Sequence, residues 1–220
     1  MLLKSERELV IKYGLRMLEA GLTTGTGGNL SVLNRKKGLL AISASGLDYR
    51  ETTLDDVVIM NLEGEIVESK RKPSSEAGFH TALYKKRSDI NAIVHTHSVY
   101  ATTVACLNME LPAVHYLVGF AGNKVPLAPY ATFGSAQLAE NVSETIKNFN
   151  AVLLANHGLI CIGHEIKNAF DAAEELELVA RIYIQALSAG KPVIVPDVEM
   201  EKVIDKFSTY GQAGGKESKG

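Results

Sequence analysis

Two histidines, His95 and His97, close the apolar run Ile90–Thr96 with a single residue between them. Side chains two apart on a strand point the same way. Both imidazoles can therefore reach one metal ion, at the roughly 2.0–2.1 Å that zinc–nitrogen bonds need. A third histidine, His157, stands between Asn156 and Gly158, where two further apolar runs meet. Three histidines and one open position are a common construction for a catalytic zinc site. Periodicity does not show that the two strand ends converge, so a chance H-x-H and a turn histidine remain the alternative. Glu76 follows Ser74 and Ser75 at the start of a helical stretch. The helix dipole there favours its ionised form, and a nearby cation would bind that form, which makes Glu76 the candidate acid–base group. The alternative is an ordinary glutamate in a first helical turn.

Three segments have the chemistry to hold a phosphate. Gly25–Asn29 carries glycines, Gly28 among them, that let backbone N–H groups approach an anion, with the Asn29 amide as a further donor. Ser45 and Gly46 offer a hydroxyl and an open amide, and Ser74 and Ser75 offer hydroxyls at a helix N-terminus. Neither G-x-x-x-x-G-K-[ST] nor G-x-G-x-x-G after a strand occurs. A single phosphate group fits these segments better than a nucleotide. Of the other histidines, His80 lies four residues after Glu76 and reads as a surface residue rather than a partner of the site. His115 reads as a core histidine and His164 as an exposed turn residue.

The elements that must position these residues follow from periodicity. Helices are expected over Glu6–Ala20, after Pro73 through Lys86, over Val99–Leu107, Ser135–Lys147, Ile166–Ala189 and Val198–Phe207. A glycine-rich loop over Thr23–Val32 is expected to lead into a strand, and further strands are expected over Leu39–Ile42, Val57–Asn61, Glu65–Val67, Ile90–Thr96, Ala151–Ala155 and Leu159–Ile162. Pro112–Tyr116 and Val125–Pro129 read as extended. Strands and helices interleave without strict βαβ alternation, which points to a mixed sheet covered by helices. One domain over residues 1–210 is expected, followed by a flexible tail over 211–220.

The chain has 220 residues, 46% of them hydrophobic, and is large enough to build a core without a structural metal or disulfides. A metal would therefore serve chemistry. With 23 Lys+Arg against 25 Asp+Glu the net charge is −2. That leaves no basic excess for nucleic acid. No apolar run approaches the roughly 20 residues of a spanning helix, and the charged N-terminus is unlike a signal peptide. Cys106 and Cys161 belong to no C-x-x-C pair and are expected to be buried thiols of a cytoplasmic protein.

The runs GTGGNLS, SASGLDY, KPSSE, HTH followed by an HY pair, APYATFG and NHGL, in that order, resemble the class II aldolase/epimerase family. The resemblance extends from the first helix to KFSTYG near the C-terminus. It implies a three-layer α/β/α fold around a mixed, mostly antiparallel sheet, and a C4 homotetramer with active sites between subunits. It implies zinc held by His95, His97 and His157, with Glu76 as acid–base residue that also touches the resting metal. Gly28, Asn29, Ser45, Gly46, Ser74 and Ser75 would hold the substrate phosphate. Tyr116 of a neighbouring subunit would serve the aldehyde oxygen, while Phe133 and Tyr210 would shape and close that end of the site.

The implied reaction is reversible cleavage of a ketose 1-phosphate, L-fuculose 1-phosphate foremost, to dihydroxyacetone phosphate and L-lactaldehyde. Aldol cleavage leaves negative charge on the dihydroxyacetone phosphate fragment, which enzymes stabilise with a lysine iminium or a metal. The lysines here sit mostly in polar runs such as Lys70–Lys72, with none in an apolar strand, so the metal route is the better reading. A 5-deoxy-pentulose-1-phosphate aldolase would share these motifs. L-ribulose-5-phosphate 4-epimerases commonly carry Asp where Glu76 stands. Dehydratases of methylthioribulose 1-phosphate form a third branch, and structural relatives such as the adducin head lack the metal histidines.

Overall fold

The computed structural model describes residues 1–209. Tyr210 and the expected tail over 211–220 lie outside the described residues. In chain order the elements are α1 (Lys4–Glu19), β1 (Asn29–Asn34), β2 (Leu39–Ile42), β3 (Val58–Asn61), β4 (Ile66–Glu68), α2 (Ala77–Lys86), β5 (Ala92–Thr96) and α3 (Val99–Cys106). Then follow β6 (Leu111–Pro112), a 3₁₀ turn (Tyr116–Phe120), β7 (Lys124–Val125), β8 (Leu127–Ala128), α4 (Ala136–Ile146), β9 (Ala151–Leu154), β10 (Gly158–Gly163), α5 (Ile166–Ala189) and α6 (Asp197–Thr209). The main sheet runs β4-β3-β2-β1-β5-β10-β9-β8. Its pairs are antiparallel except β8 with β9, as the mixed, mostly antiparallel sheet requires.

Strand alternation divides the apolar residues between two faces. Leu30, Val32, Val94, Leu159 and Cys161 pack on one side against Val10 and Met17 of α1, Val104 of α3 and Phe170 of α5. Leu33, Ile93, Ile160 and Ile162 pack on the other side against Phe79 and Leu83 of α2 and Leu138 and Val142 of α4. Two helical layers thus enclose the sheet. Local chemistry sets the helix starts. The Ser135 hydroxyl accepts from Leu138 N–H at 3.1 Å to begin α4, and Glu165 and Asn168 form a reciprocal capping box at the start of α5.

Three expectations need correction. Pro112–Tyr116 does not stay extended: Val114 N–H turns back to the Pro112 carbonyl, and His115 Nδ1 accepts from Leu117 N–H, starting the 3₁₀ turn at Tyr116. His115 is accordingly a half-buried cap rather than a core residue. Cys106 is exposed while Cys161 is buried, and both thiols are free. Helix α3 buries Ala101, Val104 and Ala105, and position 106 falls off that face. His164 is exposed as expected. Among the described residues no helix is long and apolar enough to cross a membrane.

The β9–β10 connection is tight. Asn156 takes φ 54°, a left-handed conformation that asparagine tolerates. At Gly158 a Cβ would stand 2.3 Å from the Thr96 carbonyl oxygen and 3.2 Å from the His95 ring, so β10 approaches β5 as closely as it does only without a side chain there. Gly158→Ala should lower stability by about 1–3 kcal/mol, the usual cost of overpacking. Denaturant melts measure this, and an unchanged midpoint would contradict the close-approach account.

Candidate metal centre and anion pocket

Register brings the chemistry together. On the face covered by α2, Asn29 of β1 lies opposite His95 of β5, and Ile160 of β10 lies on the other side of His95. His97 follows the end of β5, and His157 immediately precedes β10. Glu76 is the residue before α2, where the helix N-terminus favours a carboxylate. Ligand atoms of Glu76, His95, His97 and His157 all lie within 4.8 Å of one another.

The distances suit a cation. His95 Nε2 is 3.0 Å from His97 Nε2 and 3.2 Å from Glu76 Oε2, and His157 Nε2 is 3.2 Å from Glu76 Oε1. Ligands at about 2.0–2.1 Å around a tetrahedral ion stand about 3.3 Å apart, close to these separations. The His95 Nδ1 atom lies 3.0 Å from the Leu159 carbonyl oxygen, which can only accept. Nδ1 therefore carries the hydrogen, and Nε2 faces the cluster, the arrangement that orients a metal-binding imidazole. Glu76 Oε1 is buried without a hydrogen-bond partner. An orphaned carboxylate oxygen among three imidazoles fits a divalent metal.

Charge states agree with this reading. Burial by itself would raise the Glu76 carboxyl, but the neighbouring His95 ring, with His157 and the Asn29 N–H, outweighs it and brings the group down to about 2. Burial, reinforced by His95, pushes His97 and His157 down to about 4. At neutral pH the site holds an ionised carboxylate and two uncharged imidazoles, the forms that bind metal.

A cavity of about 340 Å³ opens beside the cluster. Gly28, Asn29, Ser45, Gly46, Ser74, Ser75, Glu76, His97, Phe133 and His157 all line it. Backbone bonds hold two of the expected anion segments against each other, from Ser74 N–H to the Ser43 carbonyl and from Ser45 N–H to the Lys72 carbonyl, each at 3.0 Å. Gly28 is required twice over. Its φ is +66°, and a Cβ there would meet the His95 carbonyl oxygen at 2.7 Å. The Asn29 Nδ2 group already donates one hydrogen to Glu76 Oε2 at 2.8 Å.

One expected residue stands apart. Tyr116 does not line this cavity; it is half exposed and packs near Phe207. Tyr210 lies outside the described residues. His80, expected on the surface, is fully buried and bonded to Asn29 and Ser31. Its spacing from Glu76 was the available signal, but α2 turns that face toward the sheet. Thr26 and Gly27 of the expected Gly25–Asn29 segment line the cavity too, as do Tyr130 and Asn156, which lie in the APYATFG and NHGL runs but carry no expected role.

Residues 8–184 match the family model described as Class II Aldolase and Adducin N-terminal domain. The chain belongs to the class II aldolase family. This class II aldolase is 56% identical over 212 residues to the 5-deoxy-D-ribulose 1-phosphate aldolase of Bacillus thuringiensis serovar kurstaki, covering 96% of this chain and 100% of that one. It is 41% identical to the L-fuculose phosphate aldolase of Escherichia coli strain K12, over 92% of this chain and 94% of that one. A solved structure of an L-fuculose 1-phosphate aldolase superposes with a TM-score of 0.93 at 46% identity, covering 94% of this chain and 98% of that one. Class II aldolases use a divalent metal, and the Glu76–histidine cluster is able to bind one. His95→Ala or His157→Ala should abolish retention of a divalent metal through dialysis, measured as metal content per chain. Full retention in either variant would contradict the assignment.

Proposed function

We propose that this class II aldolase cleaves a ketose 1-phosphate ending in a methyl group. 5-Deoxy-D-ribulose 1-phosphate is the first candidate, releasing dihydroxyacetone phosphate and acetaldehyde. L-Fuculose 1-phosphate, releasing L-lactaldehyde, is the second. The observation that carries the reading is that the Glu76–histidine cluster and the hydroxyl and amide donors of the anion segments open into one cavity. The 56% identity to a 5-deoxy-D-ribulose 1-phosphate aldolase reverses the order of substrates expected from the motifs alone. The 41% relative and the superposed structure favour L-fuculose 1-phosphate as the second reading. At the outer lip stand Tyr130, Ala131 and Phe133, and apart from Glu76 and the histidines the lining includes no charged side chain. Such a lip suits an apolar terminus.

In this reading Asn29, Ser45, Gly46, Ser74 and Ser75 hold the phosphate through N–H and O–H groups and so fix the donor fragment. Written in the condensation direction, ionised Glu76 takes a proton from the dihydroxyacetone phosphate carbon, the electron pair left there forms the carbon–carbon bond to the aldehyde, and Tyr116 of a neighbouring copy gives its phenolic proton to the aldehyde oxygen; cleavage is the reverse, starting from protonated Glu76 and the Tyr116 phenolate. A bound divalent ion, zinc in this proposal, supplies Lewis-acid stabilisation of the negative charge. Phe133 and Tyr210 close the aldehyde end. A homotetramer in the cytoplasm completes the proposal, supported by the exposure of Tyr116 away from its own chain's cavity.

Incubation with 5-deoxy-D-ribulose 1-phosphate, L-fuculose 1-phosphate, L-rhamnulose 1-phosphate and L-ribulose 5-phosphate, with and without a chelator, tests the reading through dihydroxyacetone phosphate release. Chelator-sensitive release from the first two is expected; release from none of the four would end the proposal. Glu76→Gln should lose proton exchange into dihydroxyacetone phosphate by about 100-fold or more, and normal exchange would remove Glu76 from its role. Tyr116→Phe should lower turnover while leaving affinity for inorganic phosphate unchanged, and loss of that affinity alone would contradict its placement.

A further inference from the structure

Behind Glu76 runs a chain of buried polar side chains that reaches neither solvent nor the cavity beyond Asn29. Asn29 Nδ2 donates to Glu76 Oε2 at 2.8 Å. Asn29 Oδ1 faces His80 Nε2 at 2.6 Å. His80 Nδ1 is 2.7 Å from Ser31 Oγ, and Tyr84 Oη lies 2.8 Å from Ser31 Oγ and 3.0 Å from the Ser31 carbonyl oxygen. Asn29 and Glu76 are 5% and 6% exposed, and Ser31, His80 and Tyr84 at most 1%. We propose that His80 is a positioning residue, which fixes the direction of the Asn29 amide and through it the Glu76 carboxylate. The proposal deepens the reading of Glu76 as the acid–base group and rests on it.

The direction of every bond follows from one end. An ionised Glu76 can only accept, so Asn29 must turn its N–H toward it. Its carbonyl oxygen then faces His80 and can only accept, so His80 carries its hydrogen on Nε2. His80 Nδ1 is left as an acceptor and takes the Ser31 hydroxyl hydrogen, while Tyr84 O–H donates to the Ser31 carbonyl or hydroxyl oxygen. Reversing Asn29 would set its carbonyl oxygen against the carboxylate at the 2.8 Å now spanned by the hydrogen bond. His80 opposes that reversal, because its Nε2–H would then face an amide N–H. The ring itself is held by Phe79, stacked at 4.7 Å between centroids. With Oε2 anchored by Asn29, Oε1 is the oxygen left without a hydrogen bond beside His157. An apolar residue at position 80 would fill the same space between α2 and β1 but would leave the Asn29 direction unset.

Two readouts test this. In metal-free protein, two-bond ¹H–¹⁵N spectra should show His80 as the neutral Nε2–H tautomer, its signal assigned by loss in His80→Gln; an Nδ1–H tautomer would overturn the proposal. In metal-loaded protein, His80→Phe and His80→Asn should lower kcat by about 10–100-fold with KM little changed. His80→Gln can place an N–H near the former Nε2 and should recover most of kcat, whereas asparagine reaches only the Nδ1 position. Wild-type kcat in the Phe variant, equal kcat in the Asn and Gln variants, or a loss confined to KM would each overturn the proposal. The Asn–Gln comparison stands even where the Phe variant does not fold. Failure of the wild type to cleave any ketose phosphate would strike the proposed function instead, and the tautomer measurement then decides this inference alone.

Discussion

The site depends on one backbone constraint, the register of three antiparallel strands. Asn29 pairs with His95, and Thr96 pairs with Leu159, one residue past Gly158. A slip of one residue in either pairing would turn a whole strand over, sending His95 and Asn29 to the layer of α1 and α5. The apolar residues on both faces oppose such a slip, because each strand buries one set on each side. Two glycines then set the spacing. Gly28 and Gly158 let the loop before β1 and the turn before β10 close on the His95 segment from opposite sides.

Electrostatics follow from that placement. Glu76 is buried, and burial alone opposes its charge. Its ionised form is sustained by the helix N-terminus, the imidazoles around it and the Asn29 N–H. One carboxylate oxygen is committed to Asn29, and the other accepts no hydrogen bond and lies 3.2 Å from His157 Nε2. The proposed double role, binding metal and moving a proton, would use this division, with one oxygen anchored and one available. The neutral side chains around the cavity fit the same economy of charge. A phosphate held by hydroxyls, an amide and backbone N–H groups needs no lysine, consistent with a chain whose net charge is −2.

Much of this was legible in the residues. H-x-H on a strand announces a shared direction, and the three metal-site histidines with Glu76 do converge. Helices and strands with clear periodicity fall close to where spacing puts them. The shortfalls have physical causes. His80 is buried where the surface was expected because helical spacing tells which residues share a face but not which face meets the sheet. Cys106 is exposed because an apolar sequence neighbourhood is not a buried one at the end of a short helix. The segment at Tyr116 left its extended reading because a side-chain cap from His115, invisible to periodicity, starts a turn there. The aldehyde end of the cavity was read only through the family resemblance, since Phe133 is exposed in a loop with no repeating pattern.

The central claim is that Glu76, His95, His97 and His157 form one metal centre. Anomalous diffraction at the zinc edge, from crystals of the zinc-loaded protein, tests it most directly. The account predicts one strong peak per chain, enclosed by the three imidazole Nε2 atoms and the Glu76 carboxylate. A strong peak elsewhere with none among these four side chains would contradict it.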